Sequence, residues 1–475
     1  MYELILGSVI ASTMVPFFVQ QLKQKDEKAD HSLLSFAMIT SAIISLITLM
    51  LSPVIAFLMT ALNSSESGEG QQELVLFFLL FFLPQIFFYA LTAVMQSYLA
   101  ARSKFVMAAF APIANNVVVI SVLLYVKKQN DTFSSNLETL RSNTNIQILA
   151  IGTTLGVLTV TTLLAVSYLR AGGTFKLASI KHPNVRLLFH RSKWMIGYAV
   201  ANQIALFGIM ALSNADQGGV LTYTTAFLFA QLPHGLLAVT IMTTMIPRIA
   251  HTIETNEGSY KETITTARTK TLTRQSASAL TLIMSFVCAL QAATAIPALI
   301  ILTAHGKVSV DDAKRTASVL IAFLSCLPAY SLYLYIVRLG NVLNKTRTLF
   351  YINVVQNAIS LSLAIIFFNL FSVAGLAFAF SLSYLLVLPL SIRMVTKSIG
   401  DHLFDKPFIT HMVIVALISG ALGYIVSINI DNVYLSVVAS ATTCLIALGI
   451  GSFMRISELK QLISLVYKRT PVAEQ

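Results

Sequence analysis

Charge is scarce in this chain. Only 11% of its 475 residues are Asp, Glu, Lys or Arg and 56% are hydrophobic, whereas soluble domains carry about 25% charged residues. That balance excludes an ordinary soluble globular protein. Cysteine is nearly missing as well: Cys288, Cys326 and Cys444 each lie in an apolar run without metal-ligand spacing, which signals neither a disulfide framework nor a metal site and leaves them as packing residues. Acidic groups are absent from the middle of every apolar run, since all 20 Asp and Glu fall in loops or at run ends. A proton relay built on a buried carboxylate is therefore not expected, and paired-carboxylate catalysis has no residues to work with. Nor does any nucleophile stand with a base at membrane depth, so no catalytic residue is assigned and the chain is not read as an enzyme. The first twenty residues have no basic leader and no small-residue cleavage site, which argues against a signal peptide.

Long apolar runs are what the chain does have. Thirteen can cross a hydrocarbon core of about 30 Å as helices, near residues 3–20, 34–62, 74–99, 106–126, 146–169, 194–213, 219–249, 275–304, 316–339, 348–370, 373–395, 408–428 and 433–454. Their length excludes the short alternating segments of a membrane β-barrel. The net charge of +12 is explained by placement, not by nucleic acid: with alternate loops assigned to one side, all but six of the 32 Lys and Arg share it. The exceptions are Lys127, Lys128, Arg141, Lys307, Lys314 and Arg315. Such asymmetry marks the cytoplasmic side and puts the C-terminus, with Arg455, Lys460, Lys468 and Arg469, in the cytoplasm.

The sequence also repeats itself. Ser12-Thr13-Met14-Val15-Pro16 closes the first run and Thr243-Thr244-Met245-Ile246-Pro247 closes the seventh; Leu83-Pro84 in the third run recurs as Leu327-Pro328 in the ninth. The second unit has a run, 194–213, ahead of its matching one, whereas the first unit has none. The expectation is an all-α polytopic membrane protein with two six-helix lobes related about the membrane normal, the first lobe lacking its first helix, and two further helices. Its segments would be an N-terminal lobe at 1–170, a C-terminal lobe at 171–400, and the added pair with a tail at 401–475.

Few polar groups sit inside the runs. His234, in Leu232-Pro233-His234-Gly235, is either bonded to a backbone carbonyl freed by Pro233 or lines a cavity together with Gln231, three residues earlier on the same helical face. Arg338 lies about 10 Å into its helix from the basic turn at Lys345; it either snorkels to the headgroups or receives an anionic substrate. Asn353 and Asn357, four residues apart, stack on one face and, with Asn202 and either Ser381 or Ser383, could coordinate a monovalent cation such as sodium, the alternative being hydrogen bonds that glue helices together. No other cofactor is expected. Pro16, Pro84, Pro112, Pro233, Pro247 and Pro328 punctuate the runs, as in helices that bend around a cavity.

Three stretches carry a resemblance: Leu83-Pro84-Gln85-Ile86-Phe87-Phe88-Tyr89-Ala90-Leu91-Thr92-Ala93; Leu99 to Phe105 with Phe110-Ala111-Pro112-Ile113-Ala114-Asn115-Asn116; and Gln231-Leu232-Pro233-His234-Gly235-Leu236 running on to Met245-Ile246-Pro247-Arg248. They resemble the MurJ (MviN) lipid II flippases, in order along nearly the whole chain. The resemblance implies fourteen helices of the multidrug, oligosaccharidyl-lipid and polysaccharide exporter superfamily, two lobes around a central cavity, and alternating access. Undecaprenyl-diphosphate-linked peptidoglycan precursor would cross the bacterial cytoplasmic membrane, with its lipid tail in a groove of the last two helices. Substrate contacts would come from Ser12, Thr13, Gln231, His234 and Arg338. The chain departs from that family in having Tyr2-Glu3-Leu4 where arginines often stand, and apolar Ala226-Phe227-Leu228-Phe229-Ala230 where many members place an acidic-basic pair. Two other transport readings are a drug antiporter and a flippase of another polyprenyl-linked glycan. A reading from a different class is a scaffold that recruits cell-wall synthesis proteins through the basic loops at 170–193 and 248–274, although anionic membrane lipids also account for that charge.

Overall fold

The computed structural model describes residues 18, 27–61, 68–102, 104–128, 143–176, 178–179, 183–255, 263–404 and 406–453. Helices cover twelve of the thirteen apolar runs; the first run, 3–20, lies almost wholly outside the described residues. Ten helices are long and apolar enough to cross a membrane, and one bent pair adds an eleventh crossing. A twelfth comes from the longest helix, Thr346–Ile399, whose backbone leaves helical geometry at Ser372 with φ 50 and ψ −136. Its 54 residues would span about 80 Å if straight, so the kink divides it into two crossings, 346–371 and 373–399.

The helices pack into two compact units, Met1–Val200 and Ala201–Gln475. In the first, α1 (Glu27–Met50), α2 (Ser52–Thr60), α3 (Gly68–Phe82), α4 (Gln85–Ala101), α5 (Phe105–Lys128) and α6 (Thr144–Arg170) are followed by α7 (Pro183–Asn214), which carries the division. Leu33 and Leu34 of α1, Met95 and Leu99 of α4, and Leu164 of α6 form its fully buried centre. Gly156 of α6 lies so close beneath the Asn115 side chain that a Cβ there would stand 2.4 Å from Oδ1. Close backbone approach of this kind is how helices associate where lipid supplies no hydrophobic drive.

The second unit continues with α8 (Gly219–Pro233), a π-helical turn at His234–Ala238, α9 (Val239–Ala250), a small antiparallel hairpin of β1 (Ile253–Thr255) and β2 (Thr263–Thr265), and α10 (Ala267–Thr303). Then come α11 (Val310–Leu324), α12 (Leu327–Val342), α13 (Thr346–Ile399), α14 (Lys406–Ile428) and α15 (Val433–Phe453). The 37-residue α10 is the spine, with α14 and α15 packed along it. Ala289 and Ala293 of α10 meet Val415 and Ala416 of α14 and Cys444 and Leu448 of α15. All three cysteines are buried and free. Large apolar side chains such as Leu221, Leu228 and Leu236 are 65% or more exposed, the pattern of a lipid-facing surface and the reverse of a soluble core.

The repeated Leu-Pro steps both interrupt helices, separating α3 from α4 and α11 from α12, the latter pair bent by 50°. Proline lacks an N–H and interrupts the helical hydrogen-bond pattern, and in lipid a carbonyl freed by the break must find a donor on a neighbouring helix. Thr154 of α6 donates its hydroxyl to the Phe81 carbonyl at 3.0 Å, and the Leu83 carbonyl, which accepts from the Ile86 N–H at 3.1 Å, also accepts from Ser45 of α1 at 3.1 Å. In the second unit Ser381 of α13 donates to the Phe323 carbonyl at 3.0 Å. The break and its repair are thus repeated along with the sequence.

Candidate functional site

The clearest polar assembly inside the second unit forms where α8 gives way to the π-helical turn. Pro233 removes one donor, and the Phe229 carbonyl, four residues earlier, accepts instead from Gln291 Nε2 of α10 at 2.8 Å. His234 does not take that carbonyl, as one sequence reading has it. Its Nδ1 pairs with Ser331 Oγ of α12 at 2.9 Å, and its ring stands 5.1 Å from that of Tyr330. Gln231 Nε2 donates to the Tyr330 hydroxyl at 3.1 Å. Gln231 and His234 therefore lie on one face, as their spacing requires, and both are tied to the first turn of α12. π-turns of this type occur mostly as single interruptions, frequently at functional sites.

Arg338 is on the same face of α12 as Ser331, seven residues or two turns further on, about 10 Å along the axis. It is half-buried and makes no hydrogen bond or ion pair among the described residues. An unneutralised guanidinium at membrane depth is costly unless it faces water or a ligand. The site thus offers neutral donors and acceptors at the helix break and one fixed cation two turns away. That combination suits an anionic, polar headgroup. It does not suit nucleophilic chemistry at Ser331, which is fully buried beside a His234 only 5% exposed. Ser12 and Thr13 lie outside the described residues.

The carboxamides form a second assembly. Asn353 Nδ2 and Asn357 Nδ2 of α13 both donate to Asn202 Oδ1 of α7, each at 2.9 Å. The two side chains do point to one place, but they bring N–H groups there, and the single oxygen is shared between them. Ser381 and Ser383 are not part of this cluster: Ser381 serves the α11–α12 break, and Ser383 Oγ accepts from Gln356 Nε2 at 2.9 Å. The arrangement is that of an interhelical hydrogen-bond knot. Among the described residues no three His, Cys, Asp or Glu side chains gather as metal ligands.

Residues that sequence reasoning passed over complete the picture. Gln291 also lines an apolar groove of about 380 Å³ with Pro233, Leu236, Leu237, Leu290 and Thr294. Val287 and Leu290 belong as well to a second groove of about 360 Å³ whose far side is Leu445, Leu448 and Ser452 of α15. A lone glutamine within the apolar stretch from Ala279 to Ile300 was the available signal for the first. At the turn between α7 and α8, Asp216 Oδ2 accepts from Arg315 at 2.5 Å and from the Ser372 hydroxyl, while Arg315 also donates to the Gln217 carbonyl at 2.9 Å.

A family model described as lipid II flippase MurJ matches residues 1–442. The chain is similar to a probable lipid II flippase MurJ of Thermotoga maritima, with 23% identity over 369 residues, covering 77% of this chain and 69% of that relative. Among solved structures it is similar to a lipid II flippase MurJ in an inward closed conformation, with a TM-score of 0.72, 20% identity, and coverage of 97% of this chain and 91% of that one. It is also similar to an inward-facing multidrug resistance MATE family transporter of the MOP superfamily, with a TM-score of 0.64, 12% identity, and coverage of 83% and 88%. At these identities the solved structures speak for the fold alone. The match across 1–442, on a predominantly helical fold with the repeated Leu-Pro breaks, places this chain in the MurJ lipid II flippase family.

Proposed function

We propose that this chain carries lipid II, the polyprenyl-diphosphate-linked peptidoglycan precursor, across the bacterial cytoplasmic membrane by alternating access, with Arg338 as the cation that meets the anionic headgroup. The observation that carries the assignment of this residue is its half-buried guanidinium without a partner among the described residues. Gln231 contributes a carboxamide at the same face. His234 keeps the broken helix on α12. The lipid tail lies in the apolar groove between α10 and α15, which fits an added pair of helices at 401–475 that follow lobes at 1–170 and 171–400 in the chain. No bond of the substrate is made or broken. Translocation draws on the membrane potential or on a monovalent cation such as sodium, and cell-wall synthesis proteins dock on the cytoplasmic basic loops.

Arg338→Ala is expected to abolish rescue of a strain depleted of its lipid II flippase while membrane levels of the protein stay unchanged. Growth equal to the parent would remove Arg338 from the mechanism. The similarity of fold to a multidrug transporter supports a second reading, export of organic cations. Competition separates the two: isolated precursor headgroup should inhibit transport in liposomes, and organic cations should not.

A further inference from the structure

The break after α8 differs from the other two in what repairs it. At the Leu-Pro steps a serine or threonine hydroxyl satisfies the stranded carbonyl. At Pro233 the donor is the carboxamide of Gln291, whose Nε2 is 2.8 Å from the Phe229 carbonyl and whose Oε1 is buried with no hydrogen-bond partner. An amide that leaves its own oxygen unsatisfied in an apolar wall is unfavourable in itself. Its donor must therefore supply the gain. The same side chain lines the groove beside Pro233, Leu236 and Leu237, so it stands between the groove and the interrupted helix.

We infer that Gln291 is a positioning residue that clasps α8 at its proline break through the Phe229 carbonyl and so holds Gln231 and His234 in register with Tyr330 and Ser331 of α12. Without the clasp, the Phe229 carbonyl has no donor in lipid, and the chain around residues 229–238 rearranges to find one. The seam to α12 then loosens. The inference rests on the transport reading only for its activity measurement; the clasp itself is a statement about backbone hydrogen bonding.

Proline makes the clasp testable, because alanine at 233 restores the N–H that Phe229 would ordinarily receive. Spin labels on cysteines replacing Leu221 and Thr244, both exposed, report the distance across the break in the full-length protein in liposomes. Gln291→Leu should broaden that distance distribution and lower precursor translocation about fivefold, the change in an equilibrium that an ordinary lost hydrogen bond produces. Gln291→Met, which keeps the length of the side chain, should behave the same way. In a Pro233→Ala background neither substitution should alter the distribution further, since the carbonyl no longer needs the amide. Equal broadening in both backgrounds, or none in the parent, would overturn the clasp. Distances that respond as expected while precursor translocation is absent from every variant, the parent included, would uphold the clasp and overturn the transport reading instead.

Discussion

Asn202 shows how much a single acceptor carries in a membrane interior. Two carboxamides from α13 share its Oδ1, so Asn202→Ala strands two donors at once. Interhelical bonds in bilayers are worth about 0.6 kcal/mol on average, and a buried donor left unpaired costs about 1–3 kcal/mol. A fall of several degrees in the apparent thermal midpoint in detergent is expected. If the knot is purely a hydrogen-bonded joint, the fall is the same in sodium and in choline buffers; a drop confined to sodium would restore a cation to the site. Spacing announced Asn353 and Asn357 as one face, and Asn202 entered only as an isolated polar residue of another apolar run. The sequence could not announce which end of each amide faces inward, because that depends on Asn202 arriving from α7 with its oxygen foremost. His234 is similar: its importance was legible from its isolation at a proline, but its partner Ser331 sits 97 positions away in a stretch that reads as ordinary helix.

At the scale of elements, the proline-marked interruptions were readable, and the apolar runs 348–370 and 373–395 already part at Ser372, but nothing in them announced a positive-φ kink inside one continuous helix. The two Leu-Pro steps declare themselves because proline cannot donate and cannot be ignored by a helix. Ser372 sits in Phe371-Ser372-Val373, with no proline and no glycine until Gly375, yet it holds φ at 50, a region that a non-glycine residue enters only when its surroundings impose it. Those surroundings are tertiary: Asp216 accepts from both Ser372 and Arg315, and Gly375 packs against the Phe367 carbonyl so tightly that a Cβ would stand 2.0 Å from its oxygen. Arg315 also explains itself here, as a basic residue on the sparsely charged side that is held by an ion pair at a helix junction. Ser372→Val should lower the thermal midpoint markedly, since a β-branched residue at this φ costs about 1–3 kcal/mol. Ser372→Gly relieves the backbone while losing one hydrogen bond and should lie close to the parent. Equal losses for the two would show that the hydroxyl matters and the dihedral does not.

Over the whole molecule, the composition and periodicity made the fold class plain, and the twelve apolar runs that fall within the described residues are all helical. The division of the chain at Val200 and Ala201 was not legible, because it falls within the uninterrupted helix α7 and not at a change of composition. Orientation is a proposal drawn from the basic residues, which assign the segment beyond Arg455 to the cytoplasmic side. A cysteine replacing Lys460 should react with a membrane-impermeant maleimide in inside-out vesicles and stay unlabelled in intact cells. Labelling in intact cells would invert the whole assignment, including the side from which Arg338 is reached.

The repair of helix breaks by distant side chains also has a temporal meaning. Thr154 follows Phe81 by 73 positions, Gln291 follows Phe229 by 62, and Ser381 follows Phe323 by 58. Each interrupted helix leaves the ribosome well before the residue that completes it has been translated. Until then its bare carbonyl must be kept wet or be shielded by the insertion machinery, so the order of synthesis dictates which crossings can enter the bilayer for good and which must wait.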